Sequence, residues 1–348
     1  MGVASVMLDD RHLRKMTDDV GMLQFSELSH PNFRSGYTLD DNARALIAAL
    51  YLEDGLELAL KYARFMYTAQ RPDGSWANLF NNGRFLPQFN SEDSIGRALL
   101  ACSLGMYSPD PELAALCEQM FSSNLSKALE FRSPRGTAYA LLAMCKDPGT
   151  EHYDQHLFTE LTSRLLALYN QHHGRGWYWF EDYLTYCNGI IPQALFAACE
   201  LSNNRRIHKV AYESMNFLNG ILFRNGRLDI IGNAGWYHRE GKIPVYDQQP
   251  VDAASIIFAC YEAYHATGSR DYRDLAYQGY KWYMGDNVQK MALYDNQTGG
   301  CFDALTASGV NQNQGAEAVL SLLLSTMLLL GRMEQKYDGN QAILANLS

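Results

Sequence analysis

A pattern of the form Asp-x-x-x-Arg-Ala-Leu occurs twice in the first third of the chain, once from Asp40 and once from Asp93. In each copy a second acid adjoins the first, Asp41 in one and Glu92 in the other, and a run rich in alanine and leucine follows. Acidic residues are favoured in the first turn of a helix, where free backbone N–H groups and the helix dipole attract negative charge. The pattern therefore predicts two helices of the same kind, each with acids at its amino end.

A looser form of the pattern recurs in six segments of the chain. Its first positions are Asp40, Asp93, Arg135, Gly189, Val251 and Asn313. The residues one helical turn later are Arg44, Arg97, Tyr139, Gln193, Ser255 and Glu317. A small residue (isoleucine in the fifth segment) and then an aliphatic residue follow, which suits a helix that is packed on both sides. The helices predicted between these segments are more amphipathic and more charged, as in an outer layer.

Helix pairs that cannot bury their apolar faces alone must stack or close into a ring. Neither the first nor the last pair shows an obviously polar capping face, which favours a closed ring. The sequence thus predicts an all-α fold, an (α/α)6 toroid of six inner and six outer helices with long loops at one end. Residues 1–348 are expected to form this single domain, with a first helix near residues 5–20 and short hairpins near 76–90 and 224–246.

Composition excludes several classes of partner. The net charge is −9 and no basic stripe is present, so nucleic acid is not expected as a partner. No apolar run approaches the roughly 18 residues of a membrane span, and the first residues lack the apolar core of a secretory signal. The seven cysteines have no metal-site spacing and read as reduced core thiols of a cytoplasmic protein. We predict no metal and no cofactor.

If the inner helices run in one direction, their amino ends and the long loops meet at one mouth of the ring. Aromatic rings there would stack on sugar faces, and polar side chains would bond to hydroxyl groups. Clustered carboxylates also raise the pKa values of one another, which provides a proton donor beside an ionised base. The residues predicted to bind substrate are Tyr37, Arg44, Trp76, Arg97, Trp177, Trp179, Trp236, His238, Tyr246, Gln248, Gln249, Asp303, Asn311, Asn313 and Glu317.

Simpler structural roles compete with these predictions. Arg44 and Arg97 could form ion pairs with the acids four residues before them, Asp40 and Asp93. The aromatic run from Trp177 to Phe180 could be a hydrophobic plug rather than a sugar-binding wall. His238 could be an ordinary loop histidine.

The chain resembles the six-hairpin glycosidase superfamily, and more narrowly a group of bacterial (α/α)6 proteins encoded with, or fused to, family 4-type glycosyltransferases and mannoside-processing enzymes. The motifs that carry the resemblance are YTLDDNARAL (37–46), SEDSIGRAL (91–99), WFEDYLTY (179–186), PQAL (192–195), DQQPVDAA (247–254), LYDNQTGGCFDAL (293–305) and GVNQNQGAEA (309–318). The resemblance implies carbohydrate chemistry, a carbohydrate ligand and a glycosyltransferase as a possible partner.

The chain departs from the group's pattern after residue 186, where an Asp-Asn-Ala-Arg type of continuation is expected and Cys187-Asn188-Gly189-Ile190 is found. A carboxylate and a cation are lost there, which bears on activity and specificity. Related toroids include sugar 2-epimerases and unsaturated-uronide hydrolases. The resemblance implies that an epimerase would present catalytic histidines from its inner helices, and the predicted helix starts carry none.

We therefore predict a cytoplasmic glycoside hydrolase that acts on a small oligosaccharide, with a mannoside favoured, by two-carboxylate acid/base chemistry. The candidate catalytic residues, in ranked order, are Asp41 and Asp40, then Glu92 and Asp93, then Glu181, Asp182 and Asp247. Two alternatives stay open. One is a non-catalytic toroid that binds glycan or docks on a glycosyltransferase, and the other is an epimerase or lyase on the same scaffold.

Overall fold

The computed structural model describes residues 8–71, 73–146 and 153–333, apart from the side chain of Gln88. The α-helices of this part of the chain are α1 (Arg11–Lys15), α2 (Leu39–Leu50), α3 (Leu56–Ala69), α4 (Glu92–Gly105), α5 (Pro111–Asn124), α6 (Pro134–Cys145), α7 (Gln155–His172), α8 (Ile190–Leu201), α9 (Arg205–Leu222), α10 (Pro250–Thr267), α11 (Arg270–Lys281) and α12 (Ala316–Leu329). Two 3-10 helices span Pro87–Phe89 and Leu125–Glu130. None of the described helices has both the length and the apolar character needed to cross a bilayer.

Short strands in the connecting loops form five small antiparallel sheets within the described residues. The strands are β1 (Ser26–Glu27), β2 (His30–Pro31), β3 (Tyr37–Thr38), β4 (Leu79–Asn81), β5 (Arg84–Leu86), β6 (Tyr183–Leu184), β7 (Tyr237–His238), β8 (Tyr294–Asp295), β9 (Gly300–Cys301), β10 (Ala304–Thr306) and β11 (Gly309–Asn311). The hairpin predicted near 76–90 is confirmed as β4 and β5. The one predicted near 224–246 is wrong, because β7 pairs with β6 instead.

The even-numbered helices form a closed inner ring. Neighbours α2, α4, α6, α8, α10 and α12 pack on one another in chain order, and α12 packs on α2 to complete the circle. Helices α3, α5, α7, α9 and α11 each pack outside the inner helix that precedes them, and the short α1 lies against α12. The predicted (α/α)6 toroid is therefore confirmed. The first predicted helix is shorter than expected, since only 11–15 of its described residues are helical.

The two layers differ in burial as their sequences predict. In α2, eleven of the twelve residues are buried, which fits a helix with neighbours on every side. In α11, only four residues are buried, and they lie on one face. The prediction that residues 1–348 form one domain extends beyond the described residues and stays a prediction.

One close approach between inner helices depends on glycine. Gly189 is the residue before α8, and a Cβ atom there would lie 2.3 Å from the backbone oxygen of Ser255 in α10. No flexible side chain can move aside to relieve that contact, so the packing of α8 on α10 requires glycine at this position. This accounts for part of the departure after residue 186.

Substituting Gly189→Ala should lower the free energy of unfolding by about 1–3 kcal/mol, because two helix backbones would have to separate. Gly220→Ala is the matched control, since a Cβ atom at Gly220 in α9 meets nothing within 4 Å. The control should raise stability by about 0.5–1 kcal/mol through its better helix propensity. Chemical denaturation of both variants tests this, and equal effects at the two positions would contradict it.

Candidate active site

The amino ends of three inner helices, α2, α10 and α12, and loop residues beside them line a cavity of about 360 Å³, which we call the mouth cavity. Five carboxylates lie in its lining, from Asp40, Asp41, Asp247, Asp303 and Glu317. Its other polar residues include Gln24, Thr38, Asn78, Asn233, Gln249 and Asn311, and Phe25 is the aromatic residue of its described lining. Acids and amides are therefore concentrated at the amino ends of these three helices.

Asp40 forms its principal contacts with an arginine of the neighbouring inner helix. Nη1 of Arg97 lies 2.9 and 3.0 Å from the two carboxylate oxygens of Asp40, whereas Nη2 of Arg44 in the same helix is 3.4 Å away. Burial by itself would raise the pKa of Asp40. The positive charges of Arg44 and Arg97 outweigh burial, so the pKa lies below its ordinary value and the carboxylate is ionised.

Asp41 has the opposite electrostatic balance. Arg44 Nη1 donates to its Oδ1 at 2.9 Å, and the Thr38 hydroxyl donates to its Oδ2 at 2.6 Å. Burial is the largest influence, and together with repulsion by Asp40 and Glu317 it outweighs Arg44 and raises the pKa of Asp41 to about 7. The side chain that caps α2 is Thr38, whose hydroxyl accepts the N–H of Asp41, so neither acid is the cap.

Arg44 joins the first and last inner helices. Its Nη2 donates to Oε2 of Glu317, in the first turn of α12, at 2.9 Å. The same guanidinium therefore contacts three carboxylates at the floor of the mouth cavity. The alternative role of Arg44, a simple ion pair with Asp40, accounts for only one of these three contacts, and that contact is the longest.

The second acidic pair has a structural role. Asp93 accepts the Ser133 hydroxyl at 2.6 Å and the Tyr186 hydroxyl at 2.6 Å. Glu92 accepts the backbone N–H groups of Arg132 and Ser133, which lead into α6. An ion pair between Asp93 and the arginine four residues later is absent from the contacts of these described residues, so that alternative is wrong. The two acids hold the α6 entrance and lie outside the mouth cavity lining.

The third predicted pair is divided between two places. Glu181 is bound by the buried Arg135 at 3.0 Å, which positions the loop before α8. The side chain of Asp182 is 61% exposed and lies 3.2 Å from His172 in a separate surface pocket that also contains His238. The structure therefore does not bring Glu181, Asp182 or His238 to the mouth cavity.

Three tryptophans predicted to bind sugar belong to the core. Trp76, Trp177 and Trp179 are at most 4% exposed. The indole N–H of Trp76 donates to the carbonyl of Met66, and that of Trp177 donates to the carbonyl of Glu181. Their prediction as a sugar-binding wall is wrong because their loops fold back on the outer layer. The hydrophobic-plug alternative describes Trp177, Trp179 and Phe180, whereas Tyr178 is exposed.

Other predicted binding residues hold loops together. Tyr37 donates to Asp18, Tyr246 accepts from Gln289, Gln248 accepts from Trp282, and Asn313 accepts the N–H of Leu28. Trp236 is half-buried beside the Tyr186 ring, with the ring centres 6.2 Å apart. Among the remaining predictions, Gln249, Asn311 and Asp303 do line the mouth cavity. Burial raises the pKa of Asp303 to about 6, although a hydrogen bond from the N–H of Gly315 acts to lower it.

Sequence reasoning missed Asp252 in the first turn of α10. Its Oδ1 accepts the N–H of Cys187 at 2.6 Å, its Oδ2 is buried without a described partner, and burial raises its pKa to about 7. The Cys187 thiol in turn lies 3.7 Å from Nη2 of Arg97. The DQQPVDAA motif contained a signal, since an acid in the first turn of an inner helix repeats the arrangement in α2.

The residues that depart from the group's pattern have structural contacts. The Asn188 side chain accepts from Arg135 and from the N–H of Thr185, and Cys187 lies between Arg97 and Asp252. Burial raises the pKa of the Cys187 thiol to about 12, so the thiol is neutral. Cys187 and Asn188 thus contact Arg97 and Arg135 without adding a charge.

Comparison with known proteins gives similarity in fold. No protein-family profile and no curated protein matches the sequence. The cellobiose 2-epimerase of Bacillus thermoamylovorans B4167 superimposes with a TM-score of 0.69 at 12% identity, over 91% of this chain and 96% of that one. A D-mannose isomerase gives 0.68 at 11% identity, over 95% and 99% of the two chains. A GH76 α-mannanase of Bacteroides thetaiotaomicron gives 0.66 at 10% identity, over 94% and 96%. These similarities establish the (α/α)6 fold.

The pKa of Asp41 predicts a pH-dependent effect of Asp41→Asn on stability. Between the ordinary value of 3.8 and the folded value of about 7, the folded chain holds a proton that the unfolded chain has lost. The contribution of Asp41 to the free energy of unfolding therefore falls as the pH rises through this window. An asparagine side chain does not titrate, so the variant does not lose this stability. We expect the thermal midpoint of Asp41→Asn, relative to wild type, to increase from about pH 4 to about pH 8.

Asp286→Asn is the control for this measurement, because the Asp286 side chain is exposed and lies outside the mouth cavity lining. The difference between its thermal midpoint and that of wild type should be nearly constant over the same pH range. A constant difference for Asp41→Asn as well would mean that Asp41 is ionised throughout.

Proposed function

We propose that the protein is an enzyme that hydrolyses a glycosidic bond in a small oligosaccharide. Asp41 donates a proton to the leaving oxygen, and Asp247 activates the attacking water. The observation that carries this proposal is the adjacent pair Asp40 and Asp41, whose environments move their pKa values in opposite directions beneath a cavity rich in carboxylates. Such a divergence provides a proton donor and a fixed negative charge in one place.

Asp41 has the properties of a general acid. It keeps its proton near neutral pH, and its two oxygens are oriented by Arg44 and Thr38. A carboxyl held in this state lowers the stability of the fold at neutral pH. A surface that only binds sugar does not require a carboxyl that destabilises the fold in this way. The raised pKa of Asp41 therefore favours catalysis over a binding module.

Asp247 has the properties of a base. It lies in the loop before α10, two inner helices away from α2 around the ring, and it lines the mouth cavity. Its carboxylate forms no hydrogen bond or ion pair with another described residue, so both oxygens can bind water or substrate. Glu317, by contrast, is held by Arg44 and is better suited to orient a hydroxyl group.

The mouth cavity also has the chemistry for a sugar. Amide side chains such as Asn78, Asn233 and Gln249 provide donors and acceptors for hydroxyl groups, and Phe25 provides an apolar face. The solved structures of similar fold include enzymes named for cellobiose, mannose and α-mannan. Together with the motif resemblance they support mannosides as the first substrates to examine.

Hydrolysis fits the lining better than epimerisation. Within the described residues, no histidine lines the mouth cavity, so imidazole is not placed to move a proton at a sugar carbon. A carboxylic acid paired with a free carboxylate matches the requirements of glycoside hydrolysis directly. Association with a glycosyltransferase and a cytoplasmic location stay predictions from the sequence.

Product analysis tests the reaction. The purified protein is incubated with α- and β-linked manno-, gluco- and galacto-oligosaccharides, and the products are separated by chromatography and weighed by mass spectrometry. Release of a monosaccharide supports the proposal. A product of unchanged mass and altered stereochemistry indicates an epimerase, an unsaturated product indicates a lyase, and stabilisation by one sugar without turnover indicates a binding module.

Asp41→Asn should lower kcat by about 100-fold or more on any hydrolysed substrate, because the leaving oxygen loses its proton donor. Circular dichroism and the thermal midpoint should show that the variant is folded. Asp182→Asn, whose side chain lies in a different pocket, is the control and should keep wild-type turnover. Normal activity per folded molecule in Asp41→Asn would exclude Asp41 as the acid.

The pH dependence of kcat/KM tests the same assignment without a mutation. Asp41 loses its proton near pH 7, so kcat/KM should fall about tenfold for each pH unit above that value. Activity that stays constant to about pH 9 would require a proton donor of higher pKa.

A further inference from the structure

A second and larger cavity, of about 640 Å³, lies within the ring, and we call it the axial cavity. All six inner helices contribute to its lining. Arg44 and Arg97 line its end nearest the mouth cavity, and residues such as Leu104 and Leu328 line it further along their helices. The layer of arginines that holds Asp40 and Asp41 therefore separates the two cavities.

The walls of the axial cavity are predominantly apolar. Ile47, Leu100, Leu142, Phe258 and Leu324 each come from a different inner helix. Protein interiors are packed about as densely as organic crystals and contain few spaces larger than a water molecule. A cavity of this volume and lining instead has the dimensions of a small-molecule site.

Within the described residues, the far end of the axial cavity opens to solvent at the carboxyl ends of the inner helices. Glu200, His265 and Gly268 line it there and are exposed. Two acids, Glu200 and Glu262, accompany one cation, Lys146, whose Nζ is 3.4 Å from Glu262. Glu200 has no ion pair with another described residue, so the described lining of this opening has two carboxylates and one lysine.

Aromatic rings accompany these acids. The ring centres of Tyr261 and His265 are 4.8 Å apart, and those of Tyr264 and His265 are 5.4 Å apart. The Tyr264 ring already receives the Arg273 guanidinium at 5.7 Å. Aromatic faces beside carboxylates are the usual surroundings of an organic ammonium group.

We propose that the axial cavity binds an amphipathic organic cation. Its alkyl chain lies along the axis against the leucines, and its ammonium group stays at the opening beside Glu200 and the tyrosines. This orientation leaves the charge in contact with water and buries only apolar atoms. An amphipathic anion would bring its charge to Glu200 and Glu262, and would be repelled.

Three probes of equal chain length test the ligand class: decyltrimethylammonium, decanoate and decyl glucoside, each below the concentration at which it forms micelles. Binding to the full chain is measured by isothermal titration calorimetry at low ionic strength. We expect the cation to bind at least tenfold more tightly than the anion, with the neutral probe between them. Equal or tighter binding of decanoate, or no binding of any probe, would overturn the proposal.

Two variants locate the site. Leu104→Trp places a large ring in the axial cavity and should abolish binding of the cation. Glu200→Gln changes an exposed residue, so folding should be unaffected, and should weaken the cation at least fivefold without changing the neutral probe. Glu160→Gln, an exposed acid on α7, is the matched control and should bind like wild type.

Binding that persists unchanged in Leu104→Trp would place the probe on another surface and refute the assignment. If Leu104→Trp fails to fold, equal affinity of Glu200→Gln and Glu160→Gln for the cation refutes it instead. Asp41→Asn should bind the cation as wild type does. The test is therefore separate from the proposed hydrolysis, and either proposal can fail without the other.

Discussion

The buried contacts of Arg44 are the interaction on which the rest of this structure depends. One guanidinium reaches Asp40 and Asp41 in α2 and Glu317 in α12, which are the first and last helices of the inner ring. It therefore joins the two ends of the ring and compensates Asp40 and Asp41, which are otherwise costly to bury, while the Glu317 side chain is 45% exposed. Removing one partner of such a buried set leaves an uncompensated charge, so the ring closure and the electrostatics of the mouth cavity are coupled.

Arg44 and Arg97, together with Asp40 and Asp41, form a layer of charged side chains that has different environments on its two sides. Toward the mouth, Arg44 and Arg97 keep Asp40 ionised while burial keeps Asp41 protonated near neutral pH. Toward the axis, the guanidinium groups end an apolar cavity whose exposed lining residues, in the described part of the chain, lie at the far side of the ring. Cys187 and Asp252 extend the layer around the ring and bring a second acid of raised pKa close to it.

The sequence predicted the toroid and several of the residues at the mouth cavity, for a shared reason. The positions of Asp40, Asp41, Arg44 and Glu317 follow from helical periodicity, which is a local property. Predictions failed where loop folding decided the outcome. Trp76, Trp177 and Trp179 looked like an exposed aromatic wall, but their loops turn back on the outer helices and bury them. Composition cannot distinguish a ring that faces solvent from one that fills the core.

What the sequence by itself determined is the order of inner and outer helices and the placement of acids in the first turns of α2 and α4. What only the tertiary structure decided is which of those acids share a site. Arg97 binds Asp40 across 57 residues and Arg44 binds Glu317 across 273, while Asp93 and Glu92 turn to the entrance of α6. The physical reason is that a pKa depends on burial and on charges that the closed ring brings together, and neither is a property of a local stretch of chain.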